Sequence, residues 1–189
     1  MDYQQGILTS PPGLPDPEAL LSPVLGAIAG MRKHDAVIAY VRVGFTEADW
    51  AAIPPGNKTF SHTGQQHLMH YADPATDFHD KLVPDAGDIT VRKTRYGALS
   101  TTDLDRQLRD RGITTLVIAG LTTSGVALST VTDAADRDYQ LYILSDAIAD
   151  PDQQAHEVLM TSIFPRPAHI IDTAGLRSLL NDSHTNSGQ

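Results

Sequence analysis

Three short stretches hold the residue types that can move a proton or settle a developing negative charge. Asp2 sits in MDYQQ at the start of the sequence, and Lys93 ends the apolar run DITVRK with Arg92 and Arg95 beside it. The turn LTTSGV, Leu121 to Val126, lies between a strand-like run, LVIAG, and a helical pattern. A helix start there presents amides without intrahelical partners and the positive end of the helix dipole. In open α/β sheets, sites collect beyond the carboxyl ends of strands, and all three stretches meet that condition if a strand precedes Asp2. A carboxylate, an ammonium and an amide-lined turn then make an acid–base site with an oxyanion pocket. Each also has an ordinary explanation. Strand-end lysines and arginines are usually solvated cations, and a residue at position 2 usually frays with its terminus. Ser124 supplies a hydroxyl at the turn, but TTSGV is not the GxSxG elbow and no histidine adjoins it in sequence. It reads as a capping residue of the following helix, with Thr122 and Thr123 orienting backbone or substrate.

Composition removes several classes of chemistry. The chain of 189 residues has no cysteine, which excludes disulfides, thiolate metal sites and thiol catalysis together. A formal net charge of −9 argues against non-specific binding to nucleic acid or to an anionic membrane. No run approaches the roughly 18–20 apolar residues of a membrane span. The opening MDYQQGILTSPPGLPDPE lacks the basic and apolar regions of a signal peptide, so a cytoplasmic protein is the expectation. His62, His67 and His70 cluster in a polar stretch, and Asp77-Phe78-His79 follows. No complete ligand set is spaced for a metal, so neither a metal nor any other cofactor is expected. Phe45, Trp50 and Phe60 are expected to pack beneath a loop.

The elements that must position these residues alternate along the chain. Strands are predicted at 36–43, 88–93, 114–120, 140–146 and 168–172, and helices at about 18–33, 101–111, 124–137, 151–163 and 174–181. Continuous apolar runs such as LVIAG suit strands buried on both faces, the mark of a parallel sheet. The alternation predicts one α/β domain over 1–182, three layers deep, with a doubly wound and mostly parallel sheet. Asp150-Pro151 reads as an N-cap followed by proline at the first helical position. Residues 44–87 show no long element and read as a lid or interface insertion. Residues 183–189 read as a disordered tail. A doubly wound domain normally opens on a hydrophobic strand, so a first strand is expected upstream of Met1, and without it Asp2 is expected to be poorly anchored.

Taken in order, these motifs resemble the isochorismatase-like hydrolase superfamily, over nearly the whole chain. Asp2-Tyr3-Gln4 is similar to the family's D-x-Q signature after the first strand. GDITVRKTRYGALSTTDLDRQL is similar to its lysine signature and places Lys93 at the catalytic lysine. GLTTSGVALSTVTDAADRDY is similar to its nucleophile turn, G-x-x-T-x-x-C-V, with Gly120 and Thr123 matching and Val126 at the cysteine position. The resemblance implies catalytic positions at Asp2, Lys93 and Val126, a cis peptide near Leu121-Thr122, and substrate contacts from Arg95, Leu121, Thr122, Thr123, Ser124 and Gly125. Valine cannot attack a carbonyl, so the family's thiol-dependent amidase mechanism does not apply.

Two functions stay open. Isochorismatases in this superfamily act without the cysteine because their substrate is a vinyl ether. The resemblance then implies that Asp2 protonates the enol carbon, that Lys93 positions it, and that Arg95 holds a substrate carboxylate. True isochorismatases, as the family implies, carry glycine where Val126 stands, which puts isochorismate itself in question. The alternative is a non-enzymatic binding or scaffold member of the same fold. A small molecule is the implied partner in either case, and a homodimer or homotetramer the implied assembly.

Overall fold

The computed structural model describes residues 1–9 and 12–186. Five strands form, β1 (Ala39–Val43), β2 (Ile89–Lys93), β3 (Thr115–Leu121), β4 (Gln140–Ala149) and β5 (His169–Ile171). Eight α-helices accompany them among the described residues: α1 (Gln5–Thr9), α2 (Pro17–Arg32), α3 (Glu47–Ala51), α4 (Ser61–Gln65), α5 (Leu104–Asp110), α6 (Leu128–Asp136), α7 (Gln153–Val158) and α8 (Thr173–Asn186). Every ladder between named strands is parallel, β1 with β2 in one group and β3–β4–β5 in the other.

The two groups are joined by the first residues of the chain. The Met1 amino group donates to the Ala119 carbonyl (2.9 Å), and Leu121 N–H donates to the Met1 carbonyl (3.1 Å). On the other side, Asp2 N–H donates to the Val41 carbonyl (2.8 Å). Met1 and Asp2 therefore occupy the position of a central strand between β1 and β3, but only at its carboxyl end. Met1 bonds to β3 and Asp2 to β1, and Asp2 is buried, contrary to the poor anchoring expected. An apolar groove of about 190 Å³ lies beside Met1, lined by residues of β1, β3 and α2.

Two apolar cores lie on opposite faces of the sheet, which makes the three layers. Residues alternate between them as strand geometry requires. Tyr40 and Leu144 pack with Leu20, Leu21 and Val24 of α2 and with Leu176 of α8. Val41, Leu141 and Ile143 pack with Leu104 and Leu108 of α5 and with Val131 and Ala134 of α6. Asp16 accepts from Glu18 N–H and Pro17 takes the first helical position, a start for α2 that its sequence encodes locally.

Several boundaries differ from the periodicity. The helix predicted over 124–137 begins as a wide π-helical turn, Thr123–Ala127, before α6, and the one over 151–163 becomes α7 plus a second such turn, Leu159–Ile163. Asp152, not Asp150, caps α7 by accepting from Ala155 N–H. The segment 44–87 is loop-rich as expected, holding only the short α3 and α4 and a 3-10 turn at Pro74–Thr76 among its described residues. Phe45, Trp50 and Ile53 form a third small core beneath it, with Phe60 against them. The backbone expected to be unstructured from 183 continues α8 to Asn186, while 187–189 lie outside the described residues. No described helix is long and apolar enough to cross a membrane.

Candidate active site

The site begins with how the amino terminus is pinned. Gln4 is fully buried, and its side-chain amide closes the end of β1: Oε1 accepts from Val43 N–H and Nε2 donates to the Val43 carbonyl, both at 2.8 Å. The same Nε2 donates to the Thr76 carbonyl at 2.7 Å, tying β1 to the 44–87 segment. Tyr3 donates its hydroxyl to the Ala147 carbonyl on β4. With residues 3 and 4 fixed in this way, the Asp2 backbone takes a positive φ of 60° and its side chain turns toward the end of β2.

There it meets Lys93. The ammonium stands 2.7 Å from Asp2 Oδ2, with side-chain exposures of 2% and 5%, so the pair is effectively removed from water. Lys93 Nζ also donates to the Arg95 carbonyl at 3.2 Å. Asp2 Oδ1 has no hydrogen-bond partner among the described residues. Burial pushes the Asp2 carboxyl above its ordinary value, and the neighbouring Lys93 charge pulls the other way. The result is a carboxyl group with one oxygen held and one free, whose pKa is raised by burial and tempered by Lys93.

The turn after β3 stands next to this pair. A methyl group on Gly120 would lie 2.9 Å from the Met1 carbonyl oxygen and 3.4 Å from Val126 Cγ1. Gly120 is therefore what lets the first residues, β3 and Val126 approach one another. Leu121-Thr122 is a cis peptide bond, as the resemblance implied. Leu121, Thr123, Gly125 and Val126 are buried, and Thr122 is half-buried. Val126 is 2% exposed, so its methyl groups fill space that a smaller side chain would leave open.

The turn's hydrogen bonds correct one expectation. Ser124 does not cap the helix. It is capped instead: both its N–H (2.7 Å) and its hydroxyl (2.6 Å) donate to Asp150 Oδ2. Gly125 and Ala127 N–H groups turn back onto the Thr122 carbonyl. Two of the turn amides expected to line an oxyanion pocket, Ser124 and Gly125, are thus already engaged. Thr123 Oγ1 lies 2.8 Å from His156 Nδ1 of α7, a contact joining the turn to the next crossover.

The loop after Lys93 covers the turn. Tyr96 is half exposed, and a methyl group on Gly125 would sit 3.5 Å from its ring. The Tyr96 ring meets Phe60 edge to face at 5.2 Å, and the Arg95 guanidinium lies 5.2 Å from the Phe60 ring centre. Arg95 Nη1 donates to the Thr94 carbonyl, which leaves the rest of its fork available to a carboxylate. Phe60 packs against the small core beneath the loop, as expected, and its ring also lies under Arg95. Arg92 turns away, to Asp49 (2.6 Å) and the Gly44 carbonyl.

Tyr96, Asp150 and His156 are the neighbours that sequence reasoning passed over. Tyr96 stands within the lysine signature, three residues past Lys93, where an aromatic ring in a glycine-containing loop was a usable signal. Asp150 gave only the signal of a local cap and His156 none, because their partners are 26 and 33 residues away. The histidines of the 44–87 segment engage locally. His67 stacks on Trp50 at 4.6 Å, His70 Nδ1 accepts from Ala72 N–H, and His79 Nδ1 accepts from Lys81 N–H. Among the described residues no three of His, Asp or Glu converge as metal ligands.

The model of the isochorismatase domain matches residues 1–175. An uncharacterized isochorismatase family protein of Bacillus subtilis, YwoC, is 33% identical over 135 residues, covering 71% of this chain and 69% of its own. A ureidoacrylate amidohydrolase of Methylobacterium radiotolerans, RutB, is 29% identical over 174 residues, covering 85% of this chain and 67% of its own. Among solved structures, an isochorismatase family protein of Burkholderia thailandensis superposes with a TM-score of 0.82 at 24% identity, over 95% of this chain and 92% of its own.

Proposed function

The chain belongs to the isochorismatase family, and from that premise we propose that this isochorismatase-family hydrolase cleaves a small carboxylated vinyl ether without a thiol nucleophile. The observation that carries the reading is the buried Asp2–Lys93 pair with Asp2 Oδ1 left without a partner. A carboxyl group whose pKa burial raises, beside a cation that steadies the carboxylate left behind, is suited to general acid catalysis. Asp2 delivers its proton to the enol carbon and generates an oxocarbenium ion. Water adds to the cationic carbon and returns a proton to the carboxylate. The hemiketal then breaks its C–O bond to give a ketone and an alcohol, with no net change in protons on the protein. Arg95 over Phe60 is the candidate clamp for the substrate carboxylate. Val126 fills the place where an amidase needs its thiol, which directs the chemistry toward proton transfer.

Pyruvate release from isochorismate and related carboxylated vinyl ethers tests this directly. The folded chain should turn over at least one member of such a panel, and Asp2→Asn should reduce that rate by about 100-fold or more while leaving the fold intact. Turnover no faster than that of Asp2→Asn across the panel would sink the reading. A second reading, a binding protein without chemistry, is favoured by the engagement of the Ser124 amide with Asp150. It predicts that members of the same panel raise the melting temperature without being consumed.

A further inference from the structure

Thr123 and His156 share a bond that the proposed chemistry does not use. Thr123 is 0% exposed, and its hydroxyl has one hydrogen-bond partner among the described residues, His156 Nδ1 at 2.8 Å. Packing does not explain a histidine at this place in α7. Three and four residues on, Leu159 belongs to the core and Met160 packs against it, so His156 stands on the helix face that turns inward. An apolar side chain would fill that face, whereas a half-buried imidazole needs a polar partner.

The bond also closes a ring. Ser124 N–H and hydroxyl donate to Asp150 Oδ2, and Asp150 Oδ1 accepts from Asp152 N–H at 3.0 Å. The Asp152 carbonyl accepts from His156 N–H at 2.9 Å, and the His156 side chain returns to Thr123, the residue before Ser124. Opening any one link frees the turn from the start of α7 on one side. The turn is itself a wide π-helical one, in which Ala127 N–H bonds to the Thr122 carbonyl and Leu128 N–H to the Thr123 carbonyl. Val126 lies inside it, close enough that a methyl group on Gly120 would sit 3.4 Å from its Cγ1 and 2.9 Å from the Met1 carbonyl oxygen. A shift at Thr123 therefore carries Val126 with it, against the residues that present Asp2.

We infer that His156 is a positioning residue of the site. Through the Thr123 hydroxyl it sets the turn Thr123–Ala127, and with it Val126, in register with the Asp2–Lys93 pair. It touches no reacting atom, so its loss weakens the hold on substrate and leaves proton transfer by Asp2 nearly unchanged. The inference rests on the proposed function in one respect, that the turn seats the substrate.

Amide hydrogen exchange on four variants tests the inference without any ligand. His156→Leu keeps an apolar bulk on the inner face of α7 but no polar atom, and Thr123→Val keeps the shape of the threonine without its hydroxyl. Each should speed exchange at Gly125, Ala127 and Leu128 by about tenfold or more beyond any change at Ile143 and Leu144 in β4. The double variant should add no more than about twofold, because both changes break the same bond. His156→Asn should stay within about threefold of the unaltered protein, since an amide can accept or donate where Nδ1 stands. On a carboxylated vinyl ether that the unaltered protein consumes, His156→Leu should raise KM about tenfold with kcat within about threefold, and His156→Asn should restore it. For a vinyl ether that is bound and not consumed, Kd takes the place of KM. Full protection in His156→Leu assigns the position to packing and overturns the inference. Additive effects of the two changes overturn it too, as does a loosened turn with KM or Kd unchanged. If the unaltered protein neither binds nor consumes any vinyl ether, the proposed function fails on its own panel, and the exchange results alone uphold or overturn His156 as the residue that sets the turn.

Discussion

Lys93 is the residue on which the stability of the buried pair turns and, in the proposed mechanism, the chemistry as well. Its ammonium is the partner of Asp2 Oδ2, and Oδ1 has no other donor among the described residues to share the load. Lys93→Met removes the cation and keeps the bulk of the stem. A buried carboxylate left without its partner costs about 3–5 kcal/mol, which urea unfolding at pH 7 should register. The sign with pH follows from Asp2, whose folded pKa is already raised by burial and rises further without Lys93. Stability tied to a raised carboxyl is fully present below its unfolded value and is lost as pH rises through the folded one. The deficit of Lys93→Met against the unaltered protein should therefore shrink as pH is lowered toward 4, about the unfolded carboxyl value. Val126 gives the complementary prediction. Val126→Cys removes little volume and should leave stability within about 1 kcal/mol. Its thiol would stand at a helix start, next to Gly120 and the first residues, a setting that lowers a thiol's pKa. A burst of acyl transfer from an activated ester, abolished by iodoacetamide, is the expected result. A folded variant with no burst counts against Val126 as the nucleophile position.

At the scale of elements, the turn after β3 depends on a carboxylate contributed by the end of β4. Asp150 is buried, and it accepts from Ser124 N–H and hydroxyl through one oxygen and from Asp152 N–H through the other. Asp150→Ala should cost about 1–2 kcal/mol as a lost cap, and Asp150→Asn less, since the amide oxygen still accepts. If the turn positions substrate, the alanine variant should also raise KM more than the asparagine variant does, measured on whichever panel member is consumed. Asp150 also shows why some of the site was not legible. The Asp-Pro pair pointed to a local cap, and the local cap turned out to be Asp152, two residues on. Nothing near position 150 in sequence indicates a partner 26 residues upstream. Strands were legible for the opposite reason: a run such as LVIAG or QLYIL carries its burial pattern within itself, and β3 and β4 form over those runs. Gln4 lies between these cases. The D-x-Q motif drew notice to it, yet its role as a backbone substitute for Val43 and Thr76 depends on contacts 39 and 72 residues away.

For the molecule as a whole, the amino terminus lies in the middle of the sheet, so its ionisation is coupled to global stability. The Met1 amino group has an ordinary value of 8.0 and is lowered to about 6 by burial, with Lys93 adding to the effect and Asp2 opposing it. Above pH 8 the amine is neutral in folded and unfolded chains alike, and it carries no penalty. Between pH 8 and 6 the unfolded chain binds a proton that the folded chain resists, so stability falls as pH falls through this window. Below about 6 the folded amine also takes its proton and the loss levels off, at roughly 3 kcal/mol or less. Comparison with chain acetylated at Met1 isolates this group, because acetylation removes it and leaves every side chain in place. Urea midpoints measured at pH 6, 7 and 8.5 and constant ionic strength should diverge between the two proteins as pH falls, with the acetylated chain the more stable at pH 6. Parallel curves would mean that the Met1 amine is solvated at its ordinary value, and that the first residues do not hold the two strand groups together from within the sheet.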